Sequence, residues 1–120
     1  MKVRTSILDN ATLVFEVEHG DVGPIVDRLN IQPNGFAIMG EAIPVPIAVV
    51  DGRQMDEEWF THDHLLAIEA HELGHIRMDS DDEPTAELEG IRLLEEAGFA
   101  AAAQLLHERG RLGHELAVFL

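Results

Sequence analysis

Residues 61–78 read THDHLLAIEAHELGHIRM, and this stretch decides the second half of the fold. Its apolar positions follow a helical period, and Thr61 or Asp63 can cap a helix running from about His64 to Met78. A polar turn follows, from Asp79 to Glu83. Pro84 then opens a second helix, where a missing N–H costs nothing. That helix runs to about Ala97 and stops at Gly98, a helix-ending residue. Phe99 to Arg109 and Leu112 to Phe119 read as further helices, broken at Gly110 and Gly113.

Upstream of Asp51-Gly52 the period is strand-like. Val3, Thr5 and Ile7 alternate with Lys2, Arg4 and Ser6, the pattern of a half-buried strand. Thr12 to Val17 reads as its hairpin partner after a turn at Asp9-Asn10. Asp21 to Leu29 reads as a short helix with Val22, Ile25, Val26 and Leu29 on one face. Phe36 to Met39 and Ile43 to Val50 complete a sheet of three or four strands. Pro44 and Pro46 donate no ladder hydrogen bond, which predicts an edge position for the last of these. The expected class is α+β in one domain over 1–120: a small N-terminal sheet with an edge strand, then a helical half.

Composition narrows the function. The 120 residues carry 23 acids and eight bases, a net charge of −15. Phosphate neutralisation needs clustered Lys and Arg, so nucleic acid is excluded as a partner, and an anionic membrane surface is disfavoured. No apolar run is long enough to span a bilayer. The first ten residues, MKVRTSILDN, hold no apolar signal core, which predicts a cytoplasmic location. There is no Cys, so disulfides and thiolate chemistry are out, and any metal must sit on His and carboxylates.

His71-Glu72-Leu73-Gly74-His75 supplies such a site. Two His at i and i+4 project from one helix face, so both imidazoles reach a single cation. Glu72 lies where a carboxylate can take a proton from a metal-activated water. A third ligand must come from downstream. Glu87 shares a face with Ile91 and Leu94, which puts a carboxylate on an inward stripe, and an antiparallel helical hairpin sets it across from His75. Glu83 is the second choice. Asp79, Asp81 and Asp82 suit the positive end of the following helix. Glu89 falls on the opposite side from Glu87, facing outward. His64, about 10 Å from His71 along the axis, suits a cap or the surface. Trp59-Phe60 reads as core. Each His ligand should donate its second N–H to an oxygen acceptor, with Glu69 and Glu41 as candidates.

The segment Ala70 to Ile76 (AHELGHI) resembles the active-site helix of zincin metallopeptidases, and Thr85 to Gly90 (TAELEG) resembles the glutamate-bearing helix of gluzincin-like members. The likeness is greatest to small ImmA/IrrE-type and minimal-gluzincin peptidases. It implies Zn2+ held by His71, His75 and Glu87, with Glu72 as general base and acid in peptide-bond hydrolysis. It also implies a peptide or protein substrate aligned along an edge strand, here Ile43 to Val50. With no Tyr in the chain, oxyanion stabilisation would fall to metal, backbone, His64 or His114. The alternative function is a zincin-like metal-binding module that does not hydrolyse peptides efficiently.

Overall fold

The computed structural model describes residues 1–31, 35–108 and 115–119. In chain order the elements are β1 (Lys2–Thr5), β2 (Leu13–Val17), α1 (Pro24–Ile31), β3 (Gly35–Met39), β4 (Ile47–Asp51), a 3-10 turn (Gly52–Asp56), α2 (His62–Met78), α3 (Glu83–Glu96), α4 (Ala100–Glu108) and β5 (Glu115–Phe119). The α+β organisation matches expectation: four N-terminal strands form a mixed sheet, and the helices follow.

Strand order is β1-β2-β4-β3-β5. β1 runs antiparallel to β2, β2 parallel to β4, β4 antiparallel to β3, and β3 parallel to β5. The strand expected at the edge is therefore central. β4 begins at Ile47, after both prolines, and Pro46 enters the ladder only through its carbonyl, which accepts from Leu13 N at 3.1 Å. A proline just ahead of a strand sacrifices no ladder donor, so its edge signal does not extend to the residues that follow. The run from Ile47 to Asp51 is buried on both faces, as a central strand must be.

Layers explain why. Val14, Ala48 and Val50 face α2 and pack with Phe60, Leu65 and Ile68. Phe15, Val17, Ile47 and Val49 face the other way and pack with Ile25 and Val26 of α1. The helix read from Asp21 instead begins at Pro24, leaving Val22 outside it and exposed. A third cluster, including Ala67, Ala70, Leu94, Ala102 and Leu106, joins α2, α3 and α4.

Three further expectations change. The segment ending in Phe119 contains a strand from Glu115, not a helix, and adds a fifth strand beside β3. Five residues are too few for periodicity to separate the two. β1 alternates as expected but with its faces exchanged: Val3 and Ile7 are exposed, while Arg4 and Ser6 turn inward to a buried carboxylate, Glu69. Phe60 is core, whereas Trp59 is 58% exposed.

Candidate metal centre

The centre is built where α2 ends and α3 begins. Thr61 caps α2, and His64 completes the cap by accepting from Thr61 N through Nδ1 at 3.1 Å. Its ring also stacks on Phe60, so His64 is a helix-starting residue away from the candidate ligands. Two turns later the helix is buried continuously from Ala67 to His75. His71 and His75 are 1% and 0% exposed, with ring centroids 5.0 Å apart, and Glu72 is fully buried beside them.

Helix α2 ends in a left-handed residue, Asp79 (φ 48°), which reverses the chain. Asp79 N bonds to the carbonyl of Ile76 and Ser80 N to that of His75, the paired closure of a Schellman turn. The reversal brings the Ser80 carbonyl to 2.7 Å from His75 Nδ1. That carbonyl can only accept, so Nδ1 carries the proton and Nε2 is left as the lone-pair nitrogen. Neither Glu69 nor Glu41 fills this orienting role. Glu69 instead receives Arg4 Nη2 and Ser6 Oγ, each at 2.6 Å, and ties α2 to β1. Burial opposes the Arg4 charge, but hydrogen bonds to Glu69 and Glu16 outweigh it and hold the guanidinium above its ordinary value.

Asp82 then starts α3, accepting from Thr85 N at 2.9 Å. Hydrogen bonds from the Thr85 side chain and backbone hold its carboxyl below the ordinary value. Glu83 is thereby fixed as the first residue of α3. Its two oxygens lie 3.1 Å from His71 Nε2 and 3.1 Å from His75 Nε2. Among the described residues, His71, His75 and Glu83 are the one group that can offer three donors to a single ion, all within 4.8 Å of one another. Glu87, the first choice by sequence, lies outside this group and is half-buried one turn further along α3. Glu89 is not outward-facing as expected. Its side chain is 11% exposed and bridges Arg77 and Arg92.

Close packing puts Glu83 in reach. A Cβ built on Gly74 would stand 2.0 Å from the carbonyl oxygen of Ala86, and one on Gly90 would stand 2.8 Å from that of Ala70. Only glycine permits the two backbones to approach this far. A helix crossing set by Gly74 and Ala86 carries the first residue of α3 over the last two turns of α2.

The donors suit a divalent metal. Two ligand atoms about 2.0–2.2 Å from a tetrahedral zinc lie roughly 3.3 Å apart, close to both observed 3.1 Å separations. Two imidazoles and one carboxylate are also the donor set of hydrolytic zinc sites. The orienting carbonyl of Ser80 and the glycine contact were not foreseen from sequence. The signals available were a glycine inside a helix and the chain of polar residues after Met78.

A small mixed sheet followed by helices on which two buried histidines meet a partly exposed Glu83 is consistent with a zincin-like α+β fold and with the donor set of a metal-dependent hydrolase. No described helix is long and apolar enough to cross a membrane. Comparison with protein-family models, curated proteins and solved structures returns no match.

Proposed function

We propose that the protein is a zinc-dependent metallopeptidase, with zinc held by His71, His75 and Glu83 and with Glu72 as general base and acid. The observation that carries this reading is the convergence of Glu83 on both imidazoles at 3.1 Å, beside a buried Glu72. When bound, zinc supplies a Lewis acid that polarises a carbonyl and lowers the pKa of water to about 7. The chain does the rest. Ser80 keeps the His75 ring in one tautomer and one orientation. Glu72 accepts the proton of the attacking water and passes it to the leaving amine. The H-E-x-x-H spacing and a glutamate at the start of the next helix support kinship with the ImmA/IrrE-type and minimal-gluzincin peptidases.

A second reading is a zincin-like module that holds metal without efficient hydrolysis. It is favoured by β5, which takes the outer edge of β3, the strand next to β4 under α2. An extended substrate cannot add to an edge that is already paired.

Metal analysis and peptide hydrolysis decide between them. Protein purified without added zinc should carry about one zinc per chain. Glu72→Gln should keep that zinc and lose hydrolysis by two orders of magnitude or more, as expected for a general base, typically worth ~10²–10⁴-fold. Zinc retention with no hydrolysis in the unaltered protein supports the module, and absence of metal refutes both.

A further inference from the structure

A cavity of about 300 Å³ opens at the C-terminal end of α2, between that helix and the chain linking β3 to β4. Met39, Ile43, Pro46 and Ile76 form its apolar wall, and Glu41 and Asp79 are the charged residues that line it. Both acids are exposed, and no Lys or Arg lines the cavity. Arg77, the cation nearest in sequence, is turned to Asp9 and Glu89.

Position ties the cavity to the metal centre. Ile76 follows Glu72 by four residues, so the two share a helix face about 6 Å apart along the axis. Asp79 is the residue whose turn delivers the Ser80 carbonyl to His75. Same-side residues of an extended peptide are spaced by ~7 Å. That spacing is close to the step from Glu72 to Ile76, so a peptide whose scissile bond lies at the metal centre would bring the side chain two residues away toward this cavity.

We infer that the cavity is a substrate subsite for a Lys or Arg side chain, close to the bond that is cut. This rests on the peptidase reading and adds its substrate class. The long alkyl stem of such a residue packs on Met39, Ile43 and Ile76 while its cationic tip reaches the acids at the mouth, the usual way these side chains divide between apolar wall and polar rim. An acidic side chain meets two like charges there.

Binding to zinc-loaded Glu72→Gln protein tests this apart from turnover. The probes are fluorescent hexapeptides of alanine in which one Lys, Arg, Leu or Glu is walked through every position. At one position Lys and Arg should bind roughly three- to tenfold more tightly than Leu, from two exposed charge contacts, and Glu more weakly still. The advantage should shrink at 0.5 M salt. Glu41→Lys leaves one acid and one base at the cavity and should abolish the preference for Lys over Glu. Glu95→Lys, at the far end of α3 with the same change of net charge, should not. Equal binding across the series, or an equal effect of Glu95→Lys, overturns the subsite. Hydrolysis by the unaltered protein with no basic preference overturns the subsite and leaves the peptidase standing. A basic preference lost in Glu41→Lys with no hydrolysis upholds the cavity as a site for a basic side chain and overturns the peptidase reading, and with it the role of the cavity in cleavage.

Discussion

Gly74→Ala adds one methyl group at the tightest point between α2 and α3. Its Cβ would sit 2.0 Å from the Ala86 carbonyl, where ordinary contact begins at 3.4 Å. Backbone cannot rotate aside, so the helices must part by roughly 1.4 Å, several times the ±0.2 Å latitude of metal–ligand distances. Glu83 precedes Ala86 by three residues on the same helix and moves with it. Overpacking costs about 1–3 kcal/mol, and the better helix propensity of Ala returns about 1 kcal/mol. Thermal stability of the metal-free protein should therefore fall only modestly. Zinc affinity should fall at least a hundredfold, or about 2.7 kcal/mol. Competition with a chromophoric chelator reads the affinity. The rise in Tm on adding zinc provides a second measure, since ligand binding to the folded state alone raises it. Gly90→Ala, whose clash of 2.8 Å is milder and partly against the Leu106 side chain, should bind zinc nearly as the unaltered protein does. Gly74→Ala binding zinc within threefold of the unaltered protein would refute the argument that this crossing positions Glu83.

Glu83→Ala should weaken zinc binding by two orders of magnitude or more while Glu87→Ala leaves it within threefold; the reverse pattern in a chelator titration would restore the choice made from sequence. Arg4→Met strands the buried Glu69 with Ser6 alone and should cost about 3 kcal/mol in urea unfolding, the low end for an orphaned buried charge. Asp79→Gly should fold as well or better, whereas Asp79→Val should lose about 2 kcal/mol, because a β-branched residue resists φ near 48°. Glu89 is held down to about 2 from 4.5, first by the hydrogen bond from Arg92 and then, against partial burial, by that from Arg77. Its stabilisation is present above pH 4.5 and is lost as pH falls toward 2; Glu89→Gln should flatten that part of a stability–pH curve.

The two imidazoles were legible because helical period is a local property, and a spacing of four fixes a shared face whatever the helix packs against. The carboxylate that meets them was not. Choosing Glu87 over Glu83 placed the meeting point of the two helices one full turn from their ends. The close contact at Gly74 goes with a meeting point at Glu83, the first residue of α3, whose oxygens lie 3.1 Å from both rings. Strand polarity failed for a related reason. Val3 and Ile7 look like the inward set until Glu69, more than sixty residues away, draws Arg4 and Ser6 inside. β4 and β5 were misjudged because a proline's effect ends with its own missing N–H, and because ELAVF carries no period long enough to identify. The existence of the four N-terminal strands and of the three helices after them was legible, though not the place of β4 in the sheet, since each has its own pattern and its own stop.

The Ser80 carbonyl belongs to the main chain, so no replacement of the Ser80 side chain can delete it. Orientation of the second imidazole is thus written into the path of the polypeptide, not into residue identity at that position. Replacements at 80 that keep the main-chain N–H closing the turn on His75 retain the acceptor, while vulnerability concentrates one residue earlier, at the left-handed step of Asp79. An engineer seeking to retune this ligand would gain nothing at the contacting residue and everything from the bend that presents it.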